Sequence, residues 1–473
     1  MGALQLAPEW DRLLYWGAGA VTLLFVLLAA VTCRLLLAYL GKWKALKPIP
    51  GVSPCYPLLG NTVFLERKGE DFFKQIVHIF EEYRNLPLVK LWIGPLPFVI
   101  LYHPDAVEVV LNSSKHIEKS FPYKFLHPWL GTGLLTSTGD KWRSRRKMIT
   151  PTFHFTILAD FLEVMNEQAN ILVDKLEKHV DKEPFDCFLD IALCALDIIC
   201  ETAMGKNVGA QNNRDSKYVC AVYKMSDLIH HRQKSPWLWS NLMYPIFEEG
   251  REHNRSLKIL HSFTDNVIAE KAHDIENHTQ QKDDFDDNCE QSGPKRKRAF
   301  LDMLLSTTDD EGNKLSYMDI REEVDTFMFE GHDTTAAAMN WAIYLLGCHP
   351  EAQKKVHREL DEVFGNSERP VTMDDLQKLR YLECVVKEAL RLFPSVPFFA
   401  RTTSEDCHIS QRFAQMEEKA VLAIILRHFW VETSQEREGL GLVGELILRP
   451  NKGIWIQLKR RECVSEEEIS QGF

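Results

Sequence analysis

The most chemically suggestive residues of the sequence lie inside a long apolar segment. Glu322–Gly347 is mostly apolar and long enough for a buried core helix, but its centre reads Glu-Gly-His-Asp-Thr-Thr from Glu330 onward. Glycine inside a helix costs about 1 kcal/mol relative to alanine, and threonine hydroxyls can bond backbone carbonyls and bend the helix. In such a locally opened helix, Asp333 beside the hydroxyl of Thr334 makes a plausible proton-delivery pair. The alternative is a kinked packing helix whose polar groups are satisfied.

A second candidate pair is Glu388 and Arg391, which lie three residues apart and therefore share one helical face. The same Glu-x-x-Arg spacing recurs elsewhere, for example at Glu81 and Arg84, so the spacing alone is weak evidence. The apolar sequence around the pair, Tyr381–Thr402, predicts that it is buried. A buried pair lowers stability unless its remaining hydrogen bonds are satisfied.

A third candidate is Trp142 with Arg146, which lie four residues apart in the only Trp-x-x-x-Arg of the chain. An indole N–H and a guanidinium on one face would suit a ligand that carries a carboxylate. Arg143, Arg145 and Lys147 make the same segment strongly basic, which usually indicates only a solvated face.

Helices and a small sheet region must position these residues. Across Asp105–Gly347 most segments repeat apolar residues every three or four positions, as in Phe161–Val180, and this predicts helices. Before them, the apolar runs on either side of Gly94-Pro95 predict a β-hairpin. The polar segment His278–Arg298 interrupts the helical pattern and is typical of a surface loop.

The N-terminal sequence predicts a membrane anchor. Leu13–Cys33 contains 21 residues without a charge, which is enough for a helix to cross a hydrocarbon core. A cleaved signal peptide is the alternative, but the run is long for one and acidic residues precede it. Basic residues are concentrated after the run, which places the bulk of the chain in the cytosol. We predict a single-pass anchor with its flanks over 1–46, a stiff proline-containing connector at Lys47–Gly51, and one globular domain over 47–473.

Composition excludes several classes of protein. The 473 residues are 45% hydrophobic and 26% charged, which is ordinary for a folded enzyme and wrong for a disordered chain. A formal net charge of -11 argues against broad binding to nucleic acid. The eleven cysteines include no CxxC pair, which favours reduced thiols facing the cytosol over a disulfide framework or a zinc ribbon.

Jointly, these motifs resemble those of a microsomal cytochrome P-450. The stretches TFMFEGHDTTAAA, GLLTSTGDKWRSRRKMITPTFHFTIL and RHFWVE are similar to the fourth family of these enzymes, and within it to the vertebrate subfamily lettered V. The likeness extends from the anchor to about Ile409 and resumes over Gln411–Arg461. It implies the mainly α (α+β) cytochrome P-450 fold with a small β region, behind an N-terminal transmembrane helix in the endoplasmic reticulum membrane.

The resemblance implies that three of the candidate residues hold the carboxylates of a cofactor. Trp142 and Arg146 would bind one propionate of a b-type haem, and Arg401 would bind the other. Glu388 and Arg391 would form a structural pair of the helix that contains them.

The resemblance also implies roles for the residues at the centre of the apolar helix. Asp333 and Thr334 would deliver protons to bound dioxygen, and Glu330 matches the acid that becomes ester-linked to the haem in this family. The implied activity is NADPH-dependent ω-hydroxylation of medium- to long-chain fatty acids, with electrons from the membrane-bound NADPH-cytochrome P-450 reductase. The basic residues near Arg143 and Arg145 would form the docking site for that acidic partner.

The sequence departs from the family pattern at one place. Between the strand after Arg401 and the helix beginning Gln-Arg-Phe-Ala, the family has an aromatic-Pro-Glu-Arg segment and a loop, F-x-x-G-x-R-x-C-x-G, whose cysteine binds the iron. Here Ser410 is followed directly by Gln411, and no F-x-x-G-x-R-x-C stretch occurs in the chain. Counting back from Gln411, the iron cysteine would fall on His408, with Cys407 one place away.

We predict that neither Cys407 nor His408 binds iron, because the backbone N–H groups that surround a haem thiolate belong to the missing loop. Loss of the Pro-Glu-Arg segment would also leave Glu388 and Arg391 without the third member of their network. The hypothesis is therefore a deleted form that binds haem poorly and turns over little or nothing. The alternative is a non-enzymatic, membrane-anchored variant that keeps partner-binding surfaces such as that for the reductase. An unrelated helical membrane protein is a third class, against which the joint motifs argue.

Overall fold

The computed structural model describes residues 7–66, 69–86, 88–101, 107, 110, 117–153, 155–213, 216–283, 299–307, 312, 314–402, 422–444 and 446–460. These residues form mostly α-helices with short antiparallel strands, so the predicted mainly α fold with a small β region is confirmed. The prediction of a surface loop over 278–298 is wrong for its first six residues, which still belong to a helix. Its remaining residues, 284–298, lie outside the described part of the chain.

The helices are α1 (Ala7–Ala45), α2 (Gly69–Glu82), α3 (His127–Leu130), α4 (Gly139–Ile149), α5 (Phe155–Leu176), α6 (Phe188–Thr202), α7 (Lys217–Lys234), α8 (Glu248–Asp283), α9 (Phe300–Ser306), α10 (Tyr317–Cys348), α11 (Pro350–Phe364), α12 (Met373–Lys378) and α13 (Arg380–Leu392). Residues 422–428 are also helical. The strands are β1 (Leu88–Ile93), β2 (Leu96–Leu101), β3 (Phe185–Asp186), β4 (Phe429–Glu432), β5 (Leu442–Gly444), β6 (Leu448–Pro450) and β7 (Trp455–Arg460). The order of strands is β1-β2 in one sheet, β3-β7-β4 in a second and β5-β6 in a third, and all pairs are antiparallel.

The chain divides into two compact units. The first unit contains Met1–Leu65 and Val77–Glu108, and the second contains Glu66–Ile76 and Val109–Phe473. This division differs from the predicted domain boundary between 46 and 47. The predicted boundary separates an anchor from a catalytic domain, and it stays a prediction.

The first unit contains the apolar N-terminal helix and the predicted hairpin. Within α1, the stretch Ala18–Ala45 has the length and composition to cross a membrane, with a mean hydropathy of 2.4 and none of its apolar window buried. Strands β1 and β2 pair from Leu88↔Leu101 to Ile93↔Leu96, so the hairpin around Gly94-Pro95 is confirmed.

The second unit is built around α10, which packs against α6, α8 and α13. The side chain of Ser316 accepts a hydrogen bond from the backbone N–H of Asp319 at 3.1 Å and so caps the start of the helix. The helix ends at Cys348, two residues before Pro350, where a proline disfavours helical geometry in the residue that precedes it. Trp341 of α10 stacks on Phe393, with 4.6 Å between ring centroids, and both rings are buried.

The glycine at the centre of α10 has a packing role. A Cβ atom on Gly331 would lie 2.6 Å from Cδ1 of Ile199, so glycine allows α6 to approach α10 closely. The helix is continuous from Tyr317 to Cys348. The predicted local opening at this position is therefore wrong, and the close packing of Ile199 accounts for the glycine.

Candidate active site

The two threonines at the centre of α10 bond to their own helix, as predicted. The Thr334 hydroxyl donates to the carbonyl oxygen of Glu330 at 2.6 Å, and the Thr335 hydroxyl donates to that of Gly331 at 2.7 Å. Ser395 approaches from outside the helix and donates to the Thr334 carbonyl at 2.9 Å. The Thr334 oxygen can still accept a hydrogen bond, but its proton is engaged by the helix in this conformation.

Asp333 is held by a residue that sequence reasoning missed. Its carboxylate, 1% exposed, accepts a hydrogen bond from the guanidinium of Arg449 on β6. That guanidinium also lies 4.2 Å from the ring centroid of Tyr223, a cation–π arrangement. The second carboxylate oxygen, Oδ1, has no hydrogen-bond partner among the described residues. The sequence did contain one signal for this partner of Asp333, because Arg449 is a cation between Leu448 and Pro450 in an apolar strand sequence.

Glu330 presents a carboxyl group in a strongly desolvated position. No hydrogen bond to its side chain occurs among the described residues, although a small part of the residue is accessible to water. Burial raises the pKa of Glu330 to about 7, and the positive charge of Lys119 opposes part of that increase. The carboxyl is therefore partly protonated at neutral pH, which is unusual for glutamate.

One cationic side chain, that of Lys119, lies near enough to Glu330 to act on its carboxyl. Lys119 and Arg401 pair through an isolated antiparallel bridge, so their backbones run side by side. The Lys119 ammonium lies 5.2 Å from the ring centroid of Tyr123, and the Arg401 guanidinium lies 5.5 Å from that of Phe399. Burial raises the pKa of Tyr123 and the charge of Arg401 opposes the increase, which indicates that the two groups are neighbours.

A cavity of about 350 Å³ opens beside Lys119 and Tyr123. Its lining combines lysines with hydroxyls, including Lys124, Lys141 and Thr138. Thr138 directly precedes α4 and Lys141 lies in its first turn, so the cavity lies between the start of that helix and the segment that carries Lys119. Glu118 also lines the cavity and Lys141 pairs with Glu322 at 2.8 Å, so the lining is polar and of mixed charge.

Trp142 and Arg146 lie on α4 and are both half-buried. Their four-residue spacing puts them on one face of this helix, as the sequence predicts. Their role in binding a carboxylate stays a prediction.

The interpretation of Arg145 as part of a solvated basic face is wrong. Arg145 is 7% exposed, forms an ion pair with Asp319 and lies 3.9 Å from the carboxylate of Glu323, both on α10. Positions 142, 145, 146 and 149 follow the i, i+3, i+4, i+7 spacing, so Arg145 falls on the inward face of α4. Arg143 and Lys147 are exposed, and Arg143 pairs with Asp140 at 2.8 Å.

Glu323 completes the link between α4 and α10. Its carboxylate is fully buried and accepts a hydrogen bond from the backbone N–H of Leu134 at 3.0 Å. Burial raises the pKa of Glu323 to about 7, which the Leu134 hydrogen bond and the nearby Arg145 partly offset.

The Glu388–Arg391 pair forms, but the prediction that it is buried is wrong. Two hydrogen bonds of 2.7 Å join the guanidinium to the carboxylate, while the Arg391 and Glu388 side chains are 67% and 54% exposed. The buried stripe of α13 is Leu382, Val386 and Ala389, and this stripe turns the charged pair outward. The apolar sequence around the pair covers only one side of the helix.

No described cysteine lies in a loop of the F-x-x-G-x-R-x-C pattern that carries the iron ligand of the family, because the chain contains no such stretch. Cys407 and His408 lie outside the described part of the chain. Burial raises the pKa of the Cys187 and Cys200 thiols well above their ordinary value, so both stay neutral rather than becoming thiolates. No cluster of three or more His, Cys, Asp or Glu side chains that could hold a metal occurs among the described residues. The groups around Glu330 and Arg401 suit the edge of a haem, but the residues present do not complete a haem-thiolate site.

Comparison with known proteins assigns the chain to a family. The Cytochrome P450 family model matches residues 50–411, so the chain belongs to the cytochrome P450 family of haem monooxygenases. Its relatives narrow the assignment to family 4 and to the vertebrate 4V subfamily. It is 54% identical to Cytochrome P450 4V2 of Homo sapiens over 530 residues, covering 98% of this chain and 99% of that protein. It is 39% identical to Cytochrome P450 4c3 of Drosophila melanogaster over 485 residues, covering 89% and 90%.

The alignment with the human relative also measures a gap. It is 530 positions long and the chain has only 473 residues, so at least 57 positions (530 less 473) have no counterpart here. Both proteins are covered almost from end to end, so these positions are internal. The family match ends at residue 411, the first position after the predicted junction at Ser410.

Proposed function

We propose that this chain is a membrane-anchored cytochrome P450 with little or no catalytic activity. It retains the residues that line the oxygen-binding side of a fatty-acid ω-hydroxylase site. One observation carries the proposal: the family match stops at residue 411, and at least 57 positions of the relative (530 less 473) are missing internally. The missing stretch includes the loop whose cysteine binds iron in the family pattern. Without a thiolate, a bound haem would lack the ligand that supports oxygen activation.

The retained residues correspond to those that complete family members use in their reaction. We assign Asp333 and Thr334 to proton delivery, and Trp142, Arg146 and Arg401 to the haem propionates. Glu330 is suited to an ester bond with b-type haem, because its carboxyl has no other described partner and its pKa is about 7. The corresponding reaction is NADPH- and O2-dependent ω-hydroxylation of medium- to long-chain fatty acids, and haem supplies the oxygen-activating chemistry when it is bound.

We further propose an endoplasmic reticulum location, with 1–46 as anchor and flanks and 47–473 as a cytosolic catalytic domain interrupted at 410/411. The apolar length of α1 supports the anchor, and the basic residues that follow the apolar run support the orientation. NADPH-cytochrome P-450 reductase is the expected electron donor.

A non-enzymatic role is the second candidate. The exposed basic residues Arg143 and Lys147 lie on α4, which is intact, so a surface for an acidic reductase could survive loss of the iron loop. Such a chain would occupy the reductase without oxidising substrate.

A matched pair of proteins tests the proposal. The chain as it stands and a variant carrying the relative's missing segment between Ser410 and Gln411 are reconstituted in nanodiscs with reductase, NADPH and fatty acids of graded length. We expect ω-hydroxylated product from the repaired variant alone. If the chain also occupies the reductase, adding the unrepaired chain should slow the reduction of cytochrome c by a limiting amount of reductase. Equal product yields from both proteins would overturn the proposal.

A further inference from the structure

A buried acid, Asp325, lies where α10 packs against α8 in the second unit. Asp325 is 1% exposed, and neither of its carboxylate oxygens has a hydrogen-bond partner among the described residues. An ionised carboxylate in this position would be strongly destabilised, because it would have lost its water without gaining a hydrogen-bond donor. The proposed function gives Asp325 no role, so the reason for its burial must be sought in its surroundings.

The nearby hydroxyl of Thr264 on α8 suits a protonated Asp325. Thr264 is fully buried, and its hydroxyl donates to carbonyl oxygens of its own helix, those of His261 at 3.1 Å and Leu260 at 3.3 Å. The Thr264 oxygen can therefore accept a hydrogen bond, but its proton is already engaged. An ionised carboxylate only accepts hydrogen bonds, so it could bond Thr264 only if the hydroxyl turned away from those carbonyls. A protonated Asp325 can donate to Thr264 as the hydroxyl stands.

The histidine next to Asp325 does not supply a full positive charge to it. Nε2 of His261 lies 3.7 Å from a carboxylate oxygen of Asp325, but only 2.9 Å from the carbonyl oxygen of Trp129. A carbonyl oxygen only accepts, so the N–H of His261 is on Nε2 and donates to Trp129. Burial lowers the pKa of His261, so its ring is neutral at neutral pH.

The other titratable and charged groups near Asp325 come from α7, α8 and α10. Asp265 of α8 accepts a hydrogen bond from the Tyr317 hydroxyl of α10 at 2.9 Å, and its carboxylate lies 3.8 Å from the guanidinium of Arg321. Arg321 therefore already has a carboxylate partner, which is 40% exposed. Tyr218 of α7 has a buried hydroxyl without a hydrogen-bond partner among the described residues, and burial together with the charge of Asp325 raises its pKa well above the ordinary value.

We propose that Asp325 is a proton-dependent latch, whose neutral carboxyl group donates to the Thr264 hydroxyl and holds α8 against α10. Burial raises the pKa of Asp325 well above its ordinary value, and nearby Thr264 and Arg321 oppose part of that increase. Closing the contact therefore takes up a proton. Its stabilisation is complete below the ordinary pKa of an aspartic acid and is lost as pH rises toward the raised value. The latch requires neither haem nor the proposed function.

Hydrogen exchange of the full chain in detergent micelles tests the latch. Mass spectrometry follows the amides of peptides from 260–268 of α8 in the wild type and in Asp325→Asn. Taking the ratio of the two exchange rates at each pH cancels the intrinsic effect of pH on exchange, and it also cancels the titration of Glu323 and Glu330. Because only the wild type releases the Asp325 proton on opening, we expect the ratio of wild type to variant to rise about tenfold or more from about pH 5 to about pH 7.

Asp265→Asn is the matched control, because Asp265 belongs to the same contact but is 40% exposed, and it should keep the pH response of the wild type. If Asp325→Asn does not fold, the ratio is taken between Thr264→Ser, which keeps the hydroxyl, and Thr264→Val, which lacks it, and it should rise in the same direction. A ratio that does not change with pH would overturn the latch. An equal change in peptides of α5 would also overturn it, because Asp325 would then act on the whole fold rather than on the contact between α8 and α10.

Discussion

Asp333 and Arg449 form a buried ion pair that joins the centre of α10 to strand β6. Their side chains are 1% and 11% exposed, and 116 positions of sequence separate them. Asp333 is the acid that we assign to proton delivery. To transfer a proton, its carboxylate must therefore break or share its hydrogen bond with the Arg449 guanidinium. The pair is therefore both a structural link and a constraint on the proposed chemistry.

The first prediction concerns the stability of this link. Arg449→Met leaves a buried carboxylate without its cation, so the free energy of unfolding should fall by about 3–5 kcal/mol. The double variant Asp333→Asn with Arg449→Met should lose less than the sum of the single variants, since no charge is then left unpaired. Urea denaturation of the detergent-solubilised chain measures both. Additive losses would show that the two side chains are not coupled.

The second prediction compares two arginines on α4. Arg145→Ala removes the buried partner of Asp319 and leaves Glu323 less compensated, and it should cost about 3 kcal/mol or more. Arg143→Ala alters an exposed pair and should change stability by less than about 0.5 kcal/mol. Thermal unfolding of the two variants under one buffer condition provides the comparison. Equal losses would mean that Arg145 is not buried in solution.

The third prediction concerns the exposed pair of α13. Glu388→Gln should leave the denaturation midpoint of this chain unchanged, because Glu388 and Arg391 face solvent. In the variant repaired at 410/411, the restored segment should cover the pair, and the same substitution should lower the midpoint clearly. Glu383→Gln, which breaks the exposed Glu383–Lys387 pair of the same helix, is the control in both backgrounds. A similar effect of Glu388→Gln in both proteins would refute the assignment of the missing segment to this face.

The fourth prediction is a pH dependence of stability. The pKa of Glu323 is about 7 in the folded protein and near 4.5 when unfolded, so folding takes up a proton between these values. Stability should therefore fall as pH rises from about 4.5 to 7 and change little above that, with a total of about 3 kcal/mol from this group. Glu323→Gln should reduce the slope. The pKa of Glu330 is also about 7, so Glu330→Gln should remove a further part of the pH dependence of stability between pH 4.5 and 7. An unchanged slope in both variants would contradict the raised pKa values.

Local patterns in the sequence predicted the elements whose geometry depends on nearby residues. The hairpin around Gly94-Pro95, the apolar helix and the hydroxyl bonds of Thr334 and Thr335 belong to this group, because each depends on neighbours within a few positions. The burial of individual charges did not follow from local sequence. Arg145 and Arg391 both lie in helices with mixed faces, and only the packing of those helices decides which face is buried.

Long-range partners were also beyond the reach of pattern reasoning. Nothing adjacent to Asp333 indicates that its cation comes from β6, since the pairing depends on how the C-terminal hairpin packs on α10. The close approach of Ile199 to Gly331 is of the same kind, because a glycine inside a helix is compatible with either a break or tight packing. The role of Glu330 came from the resemblance, and its desolvation became evident only from the surrounding structure.

We propose that this chain lacks the thiolate that a cytochrome P450 needs, and the carbon monoxide complex of its reduced haem shows which ligand the iron has. The purified protein, supplied with haem during expression, is reduced and exposed to carbon monoxide, with the variant repaired at 410/411 as the control. We expect substoichiometric haem and no thiolate-type Soret band from the chain itself, and that band from the repaired variant. A full complement of haem with the thiolate-type band in the unrepaired chain would show that its iron does have a cysteine ligand.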